Sequence, residues 1–172
     1  MVLSEFAKIR AVFLDVDGVL ADGTVTVTEQ GEQLRRFSIK DGYAIQLAVK
    51  KGLFIVVITG GKSQGILLRL EGLGVKEVHL GVSDKLTLMQ SLIRSHGFAV
   101  EETLFMGDDM PDFDCMQAVG LPVCPNDAVE EIKTIAKYVS PKRGGEGCVR
   151  DVLEKILKLQ GLWQVDTQVK SI

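Results

Sequence analysis

The sequence predicts an α/β fold: a doubly wound, mostly parallel sheet with a small β-hairpin inserted after the first strand. Three observations predict it. Short, nearly all-apolar β-rich runs recur along the chain, each stopped by glycine or polar residues. Helical patterns alternate with them, and one polar segment of two-residue period interrupts the alternation after the first run. Apolar runs of this kind belong to strands covered on both faces, as in parallel sheets, and strand-helix alternation implies right-handed crossovers.

The strand runs are AVFLDVD (11–17), LFIVVITG (53–60), VKEVHLG (75–81), ETLFMGDD (102–109) and LPVCP (121–125). Residues 24–39, TVTVTEQGEQLRRFSI, read as the hairpin, turning at Glu29-Gln30-Gly31-Glu32. Helical patterns follow as DGYAIQLAVKKG, KSQGILLRLEGLG, SDKLTLMQSLIRSHG, MPDFDCMQAVG, NDAVEEIKTIAKY and GCVRDVLEKILKLQG. Ser83 or Asp84 and Asn126 are expected N-caps, and Gly52, Gly74, Gly97 and Gly120 stand where C′ glycines belong. No repeat or linker marks a second domain, so one Rossmann-like domain over 1–172 is expected, with a mobile tail at about 164–172.

Composition excludes several classes. A chain of 172 residues with 46% hydrophobic and 25% charged residues can bury a sizeable core. A net charge of -3 gives no basic surface for nucleic acid, so an anionic ligand needs a local site. Cys115, Cys124 and Cys148 are odd in number and without paired spacing, which fits reduced thiols. MVLSEFAKIR has no apolar signal core and no run approaches a membrane span; a soluble, cytoplasmic protein is expected.

In a doubly wound sheet, ligands bind outside the carboxyl ends of the strands. The residues at those ends are Asp15 and Asp17, Thr59, and Asp108 with Asp109, while Lys85 opens the helix after HLG. One aspartate at a strand end is ordinarily a cap or turn residue. Four together repel, and a hard divalent cation relieves the repulsion; oxygen-only ligands favour magnesium. A carboxylate beside such an ion can attack phosphorus, with Lys85 and Thr59 to neutralise and hydrogen-bond the phosphoryl oxygens.

This ordered set, DVDG (Asp15 to Gly18), Thr59 of VITG, Lys85 and GDDMPD (Gly107 to Asp112), resembles the four motifs of the haloacid dehalogenase superfamily of phosphatases. The resemblance implies that Asp15 is the nucleophile and a magnesium ligand. It implies that Asp17 is general acid, then base, with its backbone carbonyl on the metal. Thr59 and Lys85 would hold the phosphoryl group, Asp108 would complete the metal site, and Asp109 and Asp112 would support it.

With only a hairpin as cap, the chain is similar to the small group acting on phosphorylated eight- and nine-carbon keto sugars, most closely the 3-deoxy-D-manno-octulosonate 8-phosphate phosphatase family. DVDGVLADG, FSIKDGYAIQLA, ITGGK, Arg69, GVSDK, GDDMPD and RGGEGCVRDV carry that resemblance, over about residues 9 to 163. It implies substrate contacts from Ser38, Ile39, Lys40, Asp41, Gly42, Gly60, Arg69 and Lys85. It also implies a homotetramer whose hairpins help close neighbouring sites, with the 143–147 loop and the tail near the site. Gly61 and Gln46 stand where relatives often carry arginine, which bears on the keto-acid end of the substrate alone.

Other features read more plainly. Arg35 and Arg36 are either solvated edge charges or substrate or interface groups. Arg143 and Glu146 sit in a glycine-rich loop and are either turn residues or functional groups, and His79 and His96 are isolated. A nine-carbon keto-sugar acid 9-phosphate is the alternative substrate. A catalytically quiet domain supporting a sugar-activating enzyme is the alternative role. A phosphoacceptor receiver, whose acidic pair and acceptor lie on different early strands, does not match the pairing of Asp15 with Asp17.

Overall fold

The computed structural model describes residues 2–170 and 172. The chain begins α1 (Val2–Phe6), β1 (Ala11–Leu14), β2 (Thr26–Val27), β3 (Gln33–Leu34), α2 (Ile39–Lys50) and β4 (Phe54–Ile58). It continues α3 (Gln64–Gly72), β5 (Glu77–His79), α4 (Lys85–His96), β6 (Thr103–Met106) and, after a short 3-10 turn, α5 (Phe113–Gln117). It ends β7 (Leu121–Cys124), α6 (Glu130–Ile135), β8 (Tyr138–Val139) and α7 (Cys148–Leu159). Six strands form one sheet in the order β5-β4-β1-β6-β7-β8, every neighbouring pair parallel. Among the described residues no helix is long and apolar enough to cross a membrane.

The uninterrupted apolar runs follow from burial on both faces. In β1, Val12 and Leu14 join α1, α2, α3 and α7 in one core, while Ala11 and Phe13 join α4, α5 and α6 in the other. Successive strand side chains point to opposite faces, so a strand with helices on both sides has no polar position left.

In α7 the buried residues are Cys148, Val149, Val152, Leu153, Ile156 and Leu157, an apolar stripe at helical spacing laid against α2. Its N-cap is Gly147, which has no side chain to offer. The capping comes from a distance: Asp41 of α2 accepts from the backbone N–H of Gly147 (3.3 Å) and of Arg150 (2.7 Å). Carboxylate oxygens at a helix N-terminus satisfy donors that lack intrahelical partners.

The hairpin exists but is short. β2 and β3 pair antiparallel over two residues each, with Gly31 in the left-handed conformation at the turn. Beyond β3 the chain leaves the ladder; Phe37 bridges to Ala21, and α2 begins at Ile39 with Ser38 as N-cap.

The structure departs from several sequence expectations at element ends. Asn126 is not a helix cap: α6 starts four residues later behind Val129, and Asn126 instead ties down the strand-exit segment through Pro141 O and Lys142 O. Tyr138, read as helical, begins β8, a two-residue strand too short to show a period. The expected helix across 110–120 divides into a 3-10 turn at Met110–Asp112 and α5, and α1 was not expected. Gly120 lacks a positive φ; it is glycine because a Cβ there would lie 2.6 Å from Val100 O. The tail lies against α2, with Asp166 paired to Lys50 (2.7 Å) and Lys170 O accepting from Gln46 Nε2 (2.7 Å).

The 143–147 loop is wedged against the turn that follows β1. A Cβ on Gly144 would lie 1.9 Å from the carbonyl oxygen of Gly18, while Gly145 N–H donates to Val19 O (2.9 Å). Gly144→Ala is therefore expected to lower unfolding free energy by about 1–3 kcal/mol, as overpacking does. Gly72→Ala, at an open helical position, is expected to leave it equal or higher; denaturant titration of both variants checks this.

Burial pushes the Asp41 carboxyl up to about 6, against the opposing pull of its two backbone N–H donors and Arg150. Between the ordinary carboxylate value of 3.8 and about 6, the folded chain holds a proton that the unfolded chain has released. Stability from this group is thus full below that window and lost as pH rises through it. Wild type should lose up to about 3 kcal/mol relative to Asp41→Asn between pH 4 and 6.5, on top of a constant offset, measured by denaturation at each pH.

Candidate active site

The winding reverses beside β1: the chain goes from β1 to β4 and β5 on one side, then crosses to β6, β7 and β8 on the other. Such a reversal opens a crevice outside the carboxyl ends of the two strands that flank it, here β1 and β6. Asp15 and Asp17 leave β1 there, with Val16 between them in the core; Asp108 and Asp109 leave β6. Asp15 N–H still donates to Met106 O (3.1 Å), so the ladder fixes the first acid against the second strand.

The turn after Asp17 needs glycine twice over. Gly18 has φ +87°, and a Cβ on it would sit 1.9 Å from Asp108 Oδ2. The chain then folds back, Gly18 N–H donating to Ala21 O and Ala21 N–H to Val16 O.

Lys85 binds the site together. It opens α4 behind the N-cap Asp84, whose carboxylate accepts from Thr87 N–H (3.0 Å). Its side chain is only 9% exposed, and the ammonium donates to Asp15 Oδ1 and to Asp112 Oδ1, both at 2.7 Å. Asp112 Oδ2 accepts from Asp108 N–H (3.1 Å), and a Cβ on Gly107 would lie 2.4 Å from the Cβ of Asp112, so this carboxylate is packed against the β6 exit. Asp109 stays at the rim, accepting from Met110 N–H (2.7 Å).

Thr59 directly follows β4, buried, its hydroxyl oxygen accepting from Gly61 N–H (3.1 Å), which leaves its O–H free to donate to a ligand. Asp15, Asp17, Thr59, Gly60, Lys85, Asp108, Asp109 and Asp112 all line one cavity of about 480 Å³.

The cavity is short of positive charge. Burial, then Asp112, push the Asp15 carboxyl up to about 7 against the pull of Lys85. Burial, then Asp15, Asp112 and Asp109, push Asp108 up to about 8. Burial opposes the charge on Lys85, but Asp15 and Asp112 outweigh it and hold its ammonium above the ordinary lysine range. Oxygens of Asp15, Asp108 and Asp112 lie within 4.8 Å of one another, and among the described residues Asp108 Oδ1 is buried without a hydrogen-bond partner. Oxygen-only donors with excess negative charge and an orphaned acceptor fit a hard divalent cation such as magnesium. Asp112, expected only as support, lies inside this cluster.

Asp17, on the same cavity, is held from the hairpin side. Its carboxylate, 40% exposed, is gripped by Arg35 from the chain just past β3, Nε to Oδ1 at 2.6 Å and Nη2 to Oδ2 at 3.3 Å. Arg36 pairs with Asp22 at 2.8 Å. Both arginines, which the sequence left undecided, therefore hold the hairpin to the β1 exit turn. The only local signal was their place in an alternating strand.

The remaining expected substrate residues do not line the acidic cavity. Ser38 caps α2 through Asp41 N–H, Ile39 is exposed, Lys40 lines a charged groove beside α7, and Asp41 caps α7. Gly42 leaves room for Arg69, whose Nη2 would be 2.8 Å from a Cβ there, with Ile172 O at 3.3 Å. His79 pairs with Glu77, and His96 packs on Phe54 and Phe98. The three cysteines are free and buried, and burial pushes the thiols of Cys115 and Cys124 up to about 12 and 11.

A family model of haloacid dehalogenase-like hydrolases matches residues 75–151. The chain is 36% identical over 160 residues to the 3-deoxy-D-manno-octulosonate 8-phosphate phosphatase of Escherichia coli, covering 93% of this chain and 85% of that protein. The crystal structure of the Yersinia pestis phosphatase of the same name superposes with TM-score 0.91 at 35% identity, over 94% of this chain and 87% of that one. That of the Moraxella catarrhalis phosphatase, in complex with magnesium, phosphate and KDO, superposes with TM-score 0.89 at 30% identity, over 93% and 92%. With this similarity extending along nearly its whole length, the chain belongs to the 3-deoxy-D-manno-octulosonate 8-phosphate phosphatase family of the haloacid dehalogenase superfamily.

Proposed function

We propose that this chain is a magnesium-dependent phosphomonoesterase that hydrolyses 3-deoxy-D-manno-octulosonate 8-phosphate to the free sugar acid and inorganic phosphate through an aspartyl phosphate on Asp15. The observation that carries this reading is the buried cluster of Asp15, Asp108 and Asp112 around Lys85, with an unpartnered oxygen on Asp108. Family membership supplies the substrate.

In the first step a carboxylate oxygen of Asp15 attacks phosphorus, the bond from phosphorus to the sugar oxygen breaks, and Asp17 gives that oxygen a proton. Asp17 then takes a proton from water, whose oxygen attacks the acyl phosphate; Asp15 leaves as carboxylate and phosphate is released. Thr59 donates its hydroxyl proton to a phosphoryl oxygen, and Lys85 places its charge beside the attacking carboxylate. Asp15, Asp108 and the carbonyl of Asp17, with Asp112 adjoining, would hold magnesium, which when bound offsets the carboxylate charge and polarises a phosphoryl oxygen.

The assembly proposed is a homotetramer of single-domain subunits in the cytoplasm. What supports it is the hairpin: Val27 is 64% exposed and Leu34 53% exposed, with Val25 and Ile39 also in solvent. A neighbouring subunit over this apolar surface would cover it and help exclude water from the cavity. The free thiols favour a reducing compartment.

Three outcomes are expected. Asp15→Asn should lower phosphate release from the octulosonate phosphate by about a thousandfold or more, since the amide cannot serve as nucleophile; full activity in the variant rejects the mechanism. Chelation should abolish turnover and added magnesium restore it, followed by a continuous phosphate assay. Val27→Glu with Leu34→Glu should reduce the sedimenting mass below that of a tetramer, and an unchanged mass rejects the hairpin interface.

A further inference from the structure

The proposed substrate is anionic at both ends, a phosphate ester at one and a carboxylate at the other, so its site needs a second cation. Lys85 cannot serve, because both Asp15 and Asp112 hold it. Beside the acidic cavity lies a smaller one of about 270 Å³, lined by Gly31, Gln33, Arg35, Lys62 and Ser63. The two adjoin at the Gly61-Lys62 peptide, since Gly61 lines the first and Lys62 the second. Among the described residues no carboxylate lines the smaller cavity. A third cavity touching Arg35 includes Asp22 and Arg36, an ion pair already made, and suits an anion less well.

We propose that Arg35, with Lys62 and Ser63, forms the subsite for the substrate carboxylate; the inference rests on the reading of the substrate as a keto-sugar acid phosphate. The donor count of Arg35 supports it. Nε and one N–H of Nη2 are taken by Asp17, and one N–H of Nη1 points at Gln33 O (3.4 Å). A guanidinium has five N–H donors, so one remains on each terminal nitrogen, the end-on fork that matches a carboxylate bidentately. The side chain is 7% exposed, and this fork is its uncommitted part.

Gly61 keeps that fork accessible. A Cβ placed on Gly61 would lie 3.6 Å from Arg35 Nη2 and 3.5 Å from Thr59 Oγ1, so the glycine occupies the gap between the phosphate end and the guanidinium. Any longer side chain there would extend into one cavity or the other. The stem of Lys62 lies across Gly81, where a Cβ would be 2.9 Å from Lys62 Cε, which restricts where the ammonium can reach. Arg35 thus links the two ends of the substrate: one edge of its guanidinium positions Asp17, the other meets the carboxylate.

The test compares kcat/KM for 3-deoxy-D-manno-octulosonate 8-phosphate and for mannose 6-phosphate, which lacks a carboxylate, in wild type, Arg35→Ala, Arg35→Lys and Lys62→Ala. Arg35→Ala is expected to lower the preference for the acid about tenfold to a hundredfold, mainly through KM, as loss of a charged hydrogen bond does. Arg35→Lys should recover part of it, and Lys62→Ala should move it in the same direction as Arg35→Ala. Equal loss on both substrates overturns the subsite and leaves Arg35 acting through Asp17 alone. If Arg35→Ala is inactive on both, an unchanged preference in Lys62→Ala overturns it. A wild type without preference for the acid overturns the functional reading and the subsite with it.

Discussion

Everything in the site depends on one buried cation, Lys85, shared between Asp15 and Asp112. Three carboxylates from the exits of β1 and β6 are forced together by the sheet, because Asp15 remains on the β1-β6 ladder and Asp112 is packed against Gly107. Without a cation their repulsion in a buried setting would be released by taking up protons. Lys85 prevents this in part: Asp15 is still pushed up to about 7 by burial and Asp112, and Asp108 up to about 8 by burial, Asp15, Asp112 and Asp109. The residual negative charge suits the cavity to a divalent cation, which when bound would also offset the charge of a phosphoryl group.

That constraint explains the glycines around it. Gly18 must be glycine so that Asp108 can approach the β1 exit, and Gly144 so that the 143–147 loop can rest on Gly18. Asp41 anchors the same loop from behind by capping α7. A chain of contacts therefore runs from α2 through the loop to the turn carrying Asp17. The hairpin closes the other side by ion pairs from Arg35 and Arg36, since its own strands bury little.

Much of this was legible in the sequence because the chemistry is local to strand ends. Apolar runs broken by Asp15, Thr59 and Asp108, and a helix opened by Lys85, mark the carboxyl edge of a parallel sheet without any knowledge of contacts. What was not legible lies in contacts between distant segments. Nothing near Asp41 in the sequence shows that it satisfies helix N–H groups 106 and 109 residues away. Arg35 sat in a polar strand with nothing local to connect it to Asp17, 18 residues earlier. Gly120 carried the same letter as the helix-ending glycines but answers to crowding by Val100 and Glu101 rather than to backbone angle.

In the proposed reaction the Asp15 carboxylate becomes phosphorylated. Borohydride reduces an acyl phosphate to an alcohol, so trapping during turnover on the octulosonate phosphate, followed by peptide mass mapping, reads the modified position directly. Homoserine is expected at position 15, with unmodified aspartate at positions 17, 108 and 112. Homoserine at another of these positions, or none while phosphate is being released, would contradict it.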